Sequence, residues 1–262
     1  MNGMVLSAMP AGEYDKRLTI LTVERGKISA FARGARRPNS SLLACSQPFS
    51  YGEFTAYAGR DSYTVTNAQV SNYFPRLKED LEKVYLGMYF CECADYFARE
   101  GNDERELLKL LYQSLRALES GKFPLSLVRR IFELKLISIE GEAPQVFSCI
   151  FCGKKGEEEL NSFALHKDGV VCSSCAKRLA GKIISVSPAC LYAMQYVIGT
   201  SCAQIYRFSL KEDVLIEFGA LVEEYIKKHI GRKMKSLQVL ETMGFAKEDK
   251  KDPENFAKSK EE

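Results

Sequence analysis

The sequence predicts an α+β multi-domain protein: an N-terminal five-stranded OB-fold β-barrel, followed by an α-helical domain with an inserted four-cysteine zinc module. Three observations predict it. Residues 1–75 carry short apolar runs separated by turn signals. From Pro75 the apolar spacing changes from two to three and four, the helical period. Two Cys-x2-Cys pairs, Cys149/Cys152 and Cys172/Cys175, then stand nineteen residues apart between helical stretches, the spacing of a four-thiolate zinc site. The predicted domains are a barrel over 1–75 and a helical domain over 76–245 with the zinc module at 146–178 inside it. Residues 246–262, rich in Lys, Glu and Asp, are predicted to be a disordered tail.

Five strands are expected at Met4–Met9, Lys16–Val23, Lys27–Arg33, Phe49–Tyr57 and Ser62–Val70. Pro10-Ala11-Gly12, Arg25-Gly26 and Gly59-Arg60-Asp61 punctuate them. The third strand alternates cleanly, with Ile28, Ala30 and Ala32 on one face and Ser29, Phe31 and Arg33 on the other. A long break, Gly34–Pro48, separates the third strand from the fourth. Five short strands interrupted there suit an OB barrel; a small SH3-type barrel is the competing architecture.

The first helix is expected to bury a stripe of Leu77, Leu81, Val84, Met88 and Cys91. The second opens on a capping-box pattern, Asp103-x-x-Glu106, and carries Leu107, Leu108, Leu111, Leu115 and Leu118 to a stop at Gly121. The third starts at Pro124, a favoured first-turn residue, and buries Leu127, Val128, Ile131, Phe132, Leu136 and Ile139. Ser187-Pro188 opens a fourth, and Ser209-x-x-Glu212 is expected to cap a fifth.

Zinc takes four ligands in a tetrahedron, and four thiolates close the shell, so a site of Cys149, Cys152, Cys172 and Cys175 would be structural rather than catalytic. Phe163–Val171 reads as a hairpin turning on Asp168-Gly169, a type I′ signal that returns the second pair to the first. Two disulfides, a redox-active Cys-x2-Cys or unliganded thiols are the alternatives, and His166 could replace a thiolate. The other five of the nine cysteines form no even framework, which favours a reducing cytosol.

Composition excludes little: 46% hydrophobic and 27% charged residues are ordinary for a globular chain, and a net charge of +3 leaves any nucleic-acid site to local clustering. No secretory leader and no membrane span are expected. There is no phosphate-binding Gly-x4-Gly-Lys-Ser/Thr loop. The two histidines, His166 and His229, lack any catalytic setting, and the scattered Asp and Glu leave acid–base hydrolysis open without recommending a particular pair. The informative cluster is Arg33-Gly34-Ala35-Arg36-Arg37-Pro38-Asn39-Ser40-Ser41, which has three Arg, small residues and no acid. Arg forks hold phosphate oxygens in pairs. Lys16, Arg17, Arg25 and Lys27 lie nearby in sequence, and Tyr14, Phe31, Tyr51, Tyr57 and Tyr63 interleave the barrel as rings on which bases can stack. A second cluster, Lys227–Lys235, falls at a helix end, where the dipole already favours cations.

These features together resemble the bacterial recombination-mediator family RecO. The resemblance rests on Arg33-Gly-x-Arg-Arg-x-x-Ser40 followed by Gln47-Pro48-Phe49, on Arg129-Arg130-Ile131-Phe132-Glu133-Leu134-Lys135-Leu136 before Gly141-x-x-Pro144, and on the zinc pairs that follow. It covers nearly the whole chain. It implies a non-enzymatic, cytoplasmic, nucleoid-associated protein. Such proteins bind single- and double-stranded DNA, anneal complementary strands and cooperate with RecR to load RecA onto strands coated with SSB. It also implies that Arg129, Arg130, Phe132, Lys135 and Leu136 receive the acidic, apolar C-terminal tail of SSB. One structural zinc would sit on the four cysteines. The rival reading is a zinc-stabilised protein-interaction adaptor that never touches DNA.

Overall fold

The structure is a computed structural model that describes residues 1–244 except 61, 157 and 158. The expected tail at 246–262 lies outside the described residues. The chain divides into two compact units: Met1–Lys122 joined by Met234–Thr242, and a second built on Phe123–Lys233.

In the first unit, β1 (Asn2–Ala11), β2 (Asp15–Thr22), β3 (Gly26–Ala32), β4 (Tyr51–Ala58) and β5 (Tyr63–Asn72) close into a barrel in the order β1-β2-β3-β5-β4. All neighbours are antiparallel except β3 and β5, which run parallel. A break in register between Val5 and Ser7 bends β1, so that it pairs with both β2 and β4. The strand alternation is the one the sequence predicts. Ile28, Ala30 and Ala32 face inward with Val5, Leu18, Ile20, Phe54 and Val65. The long break before β4 folds back as a plug: Ala35 and the short helix α1 (Leu42–Cys45) bury Ala35, Leu42 and Cys45 in that same core. The plug removes the need for longer side chains at Ala30 and Ala32.

A 3-10 turn, Pro75–Glu79, leads to α2 (Leu81–Phe97) and α3 (Arg105–Ser120), which pack against the barrel. Asp80 caps α2 by accepting the amides of Glu82 and Lys83. Of the expected stripe Leu77 and Cys91 are buried, but the rest of the buried face of α2 is Leu86, Tyr89, Phe90, Cys93 and Ala94; Leu81 is half exposed and Met88 also reaches solvent. The helix is apolar around most of its circumference, so spacing alone could not choose the face. Gly87 lets the Phe49 ring and Leu115 come close: a Cβ there would lie 3.2 and 3.1 Å from them. Tyr51, Tyr112 and Phe74 join barrel to α3, with ring centroids 4.5 and 5.5 Å apart. The capping box expected at Asp103 does not form. Glu104 is the N-cap, its carboxylate accepts the Arg99 amide, and Asp103 accepts the amide of Arg105.

In the second unit, α4 (Leu125–Ile139) is the central helix and packs against α6 (Pro188–Gly199) and α7 (Glu212–His229). Every residue from Arg130 to Ile137 is buried. Ser187 caps α6 by accepting the Cys190 amide, as expected, whereas α7 starts behind Lys211 with no side-chain cap from Ser209. The four-cysteine module lies in sequence between α4 and α6. It holds β6 (Ser162–Ala164), β7 (Gly169–Val171), the single turn α5 (Ser173–Ala176) and β8 (Ile183–Ser185), with strands in the order β7-β6-β8. Back in the first unit, α8 (Lys235–Thr242) packs on α2.

Candidate metal centre and nucleic-acid interface

The first cysteine pair sits on a tight turn. The Gly153 amide donates to the Cys149 carbonyl, 2.9 Å, and the Cys149 amide donates to Lys154, 2.8 Å. Gly153 takes φ 70°, the left-handed conformation that such a turn needs. The second pair follows β7, with Cys172 standing just before α5. Backbone bonds fasten the two halves: Ile150 donates to Val170, Gln145 donates to Asp168, and Val170 donates to Gln145. Gly169 makes this possible, since a Cβ there would lie 2.5 Å from Ile150 Cγ2 and 2.9 Å from the Gln145 carbonyl.

The hairpin forms, but not through a two-residue turn. Ala164 pairs with Gly169, and the connection is a 3-10 turn, Leu165–Lys167, closed by Asp168 at φ 54°. Asp168 supplies the left-handed residue, and Gly169 is spent on the close approach to Gln145.

The four sulfurs lie within 4.8 Å of one another. A tetrahedral zinc–thiolate site places sulfurs about 3.8 Å apart, from bonds of about 2.3 Å. Cys152 and Cys172 are already 3.7 Å apart. Cys149 and Cys172 are buried and Cys152 exposed. Burial works against ionising Cys149, but the amides of Cys152, Cys172 and Phe151 outweigh it and hold its thiol down at about 6. Cys175 is pushed up to about 12, first by its hydrogen bond with Cys172. Four thiols this close cannot all ionise on their own; a shared dication is what would let them do so. The donor set is soft, closed and pre-assembled, and it fits one ion with no open position.

The barrel carries the second candidate site. Arg17 on β2 stands directly opposite Phe31 on β3, and Phe31 pairs across to Thr64, which pairs with Tyr57 on β4. This row lies on the outer face: Arg17 and Tyr57 are exposed and Phe31 is half-buried. Just past the end of β3, Arg33, Arg36 and Arg37 are all exposed, because Ala35 alone of that turn points into the barrel. The turn is anchored, with the Gly34 amide donating to Asp15, 2.7 Å, and the Arg36 amide donating to Tyr14, 2.9 Å. The Arg37 guanidinium lies 5.0 Å from the centre of the Tyr14 ring.

Two predicted contacts are placed elsewhere. Lys16 alternates inward, and its ammonium donates to the Ser46 carbonyl and hydroxyl, 2.9 and 3.1 Å; burial lowers its pKa. It fastens the plug. Lys27 begins β3, about 20 Å from Arg33 along the strand, and pairs with Asp95 at 3.2 Å. Of the five rings the sequence offers, register and the Arg37 contact set Tyr57 and Tyr14 with Phe31 on the arginine side, whereas Tyr51 packs on Tyr112 of α3.

The residues expected to receive a peptide tail form part of the interior instead. Phe132 and Leu136 are completely buried. Arg130, also completely buried, donates to Glu133 at 2.9 Å and to Glu223 on α7 at 2.7 Å. Arg129 pairs with Glu133, 2.9 Å. Lys135 donates to the carbonyls of Ile198 and Thr200, 2.9 and 2.7 Å, closing the C-terminal end of α6. The basic and apolar residues of α4 alternate with helical spacing because the helix is packed on several sides. Of the Lys227–Lys235 cluster, Lys227 pairs with Glu223 and Glu224, and Lys228 with Asp168.

Among the described residues, no helix is long and apolar enough to cross a membrane. Comparison with known proteins adds to this geometry. The family model "Recombination protein O N terminal" matches residues 1–74, and "Recombination protein O C terminal" matches residues 78–238. A protein named DNA repair protein RecO from Acetivibrio thermocellus is 32% identical over 92% of this chain and 96% of its own length. Proteins of the same name from Alkaliphilus metalliredigens and Bacillus pumilus are each 30% identical, over 88% and 92% of this chain and 93% of their own lengths. With both family models placed end to end on a barrel and a helical domain with its cluster of four cysteines, the chain belongs to the recombination protein O (RecO) family.

Proposed function

We propose that the protein is a non-catalytic mediator of recombinational DNA repair, acting in the cytoplasm at the nucleoid. In this reading it binds single- and double-stranded DNA, anneals complementary strands and, with RecR, helps load RecA onto strands coated with SSB. The observation that carries the DNA part is the barrel face. Arg17, Arg33, Arg36 and Arg37 stand exposed beside Phe31, Tyr57 and Tyr14, on a barrel closed in OB order. The rings are flat surfaces for bases of any sequence, and the guanidinium groups are positioned for phosphate. Lys16 and Lys27 serve the fold and not the strand. Cys149, Cys152, Cys172 and Cys175 would hold one zinc ion, which supplies a cross-link between the two cysteine turns and no chemistry. SSB and RecR are partners carried by family membership.

The test is binding to poly(dT) across a salt series. Each neutralised phosphate contributes about −0.7 to the slope of log affinity against log salt on single strands. Arg33→Ala, Arg36→Ala and Arg37→Ala together should flatten the slope by about two, and strand annealing should fall with it. A wild-type protein that binds no DNA at low salt would replace this reading with a protein-binding adaptor.

A further inference from the structure

One half of the four-cysteine module is locally basic. From His166 to Lys182 there are four cations, Lys167, Lys177, Arg178 and Lys182, and one acid, Asp168. That stretch alone carries +3, equal to the formal net charge of the entire chain. Asp168 is engaged by Lys228, and Lys182 by Glu224. Lys167, Lys177 and Arg178 are exposed and take part in no ion pair among the described residues. The other half of the module has two cations and three acids, with Lys154 held by Glu159 at 3.2 Å. Lys154 also feels Cys172 and Cys152, so it faces the net negative charge that four thiolates around a dication would carry.

Two separate segments bring these three cations to one seam. The hairpin tip, Leu165–Lys167, is held from behind by Lys228, which donates to the Leu165 carbonyl, 3.1 Å. The loop after α5 is seated on that tip at Gly181, where a Cβ would lie 3.0 Å from the His166 ring. Lys167 is one residue from this seam, Arg178 three and Lys177 four. By chain reach, each backbone lies within about 15 Å of it. That is a patch the size of a few nucleotides, built of point charges and a guanidinium, with no exposed Phe or Tyr beside it in sequence.

We propose that Lys167, Lys177 and Arg178 form a second phosphate-contacting surface for single-stranded DNA, in a different unit of the fold from the barrel face. This rests on the DNA-binding reading above. The surface is electrostatic and sequence-blind, since it offers backbone charge and no platform for bases. Annealing must bring two like-charged backbones together, and two cationic faces on one chain give each strand its own counter-charge.

The experiment uses the full chain with its metal, in four forms: wild type, the triple variant Lys167→Ala/Lys177→Ala/Arg178→Ala, the Arg33/Arg36/Arg37 alanine triple, and the two combined. Metal content and melting temperature of each form confirm that the module is intact. Poly(dT) affinity is read across the salt series. The module triple should lower the slope by about two, so its affinity deficit should be roughly 20-fold larger at 50 mM than at 200 mM salt. It should also remove the salt-sensitive binding left in the barrel triple. If wild type binds but the module triple leaves the slope unchanged in both backgrounds, the inference is wrong and the barrel reading stands. If the slope is unchanged while capture of polyglutamate is lost, the surface belongs to an acidic protein partner and the inference is again overturned. If wild type itself binds no DNA, it is the underlying reading that fails.

Discussion

Replacing Arg130 by alanine should destabilise the second unit while leaving DNA contacts alone. Arg130 is completely buried and joins Glu133, 1% exposed, to Glu223 on α7. Breaking a buried ion pair from one side typically costs about 3–5 kcal/mol, because the other charge stays buried. Here Glu133 keeps Arg129 at 2.9 Å, and Glu223 is partly exposed and can rehydrate, so about 3 kcal/mol is the expected loss. Unfolding entropy of about 2.1 cal/mol/K per residue over a unit of roughly 110 residues converts this to a drop on the order of 10 °C in melting temperature. Calorimetry of the full chain at neutral pH would read it. A pH series adds a signature that simple loss of packing would not give. Burial works to raise the pKa of Glu223, but Arg130, with Lys227 and Arg129, outweighs it and holds the carboxyl below its ordinary value. A depressed carboxyl stabilises the fold above its unfolded pKa, about 4.3, and that contribution is lost as pH falls through the folded value. The gap between wild type and variant should therefore narrow below about pH 4. Adding Glu133→Leu to Arg130→Met should recover much of the loss, since a buried pair replaced by apolar side chains is often neutral. A drop of only a degree or two, or a double variant as unstable as the single one, would refute the idea that this network joins α4 to α7.

The cysteines and the helix packing set the remaining outcomes. Cys149→Ser should abolish stoichiometric metal in the purified protein and lower its melting temperature, because metal binding and folding are coupled at a closed thiolate site; metal analysis and thermal denaturation check it together. Chelation of wild type should then make Cys152 the first thiol to react with an alkylating reagent, mapped by peptide mass, whereas Cys91 and Cys190 stay protected because burial raises both thiols. Gly87→Ala sets about 1 kcal/mol of helix propensity against overpacking of about 1–3 kcal/mol on Phe49 and Leu115, so denaturant midpoints should show a net loss of up to about 2 kcal/mol.

The parts of this fold that follow a strict period were legible in the sequence. β3 alternates with no exception, and the barrel and its inward face follow from that alternation and the turn signals between strands. The cysteine spacing was legible because four identical ligands at fixed separations have few other uses. Positions governed by partners distant in sequence were less so. α2 and α4 carry apolar residues on several sides, and only the helices packed around them decide which are core. Arg130 and Lys135 look like surface cations in any one-dimensional reading. Their burial depends on Glu223, 93 residues away, and on the carbonyl of Thr200, 65 away. The same holds for Tyr57, which joins Phe31 only through the parallel pairing of β3 with β5.

The return of α8 to α2 makes the first unit discontinuous along the chain, and this has a consequence for synthesis. The N-terminal end of α8 is satisfied by Glu92, whose carboxylate accepts the amides of Lys235 and Ser236, the first across a separation of 143 residues. A ribosome adding about 5–20 residues per second needs roughly 7–30 s to cover that separation. The barrel, α2 and α3 are all synthesised before that interval ends, and the surface that α8 will cover stays open until then. The first unit to begin folding is thus the last to be completed. A chain cut short before α8 would still display the unfinished flank of α2 to chaperones and proteases.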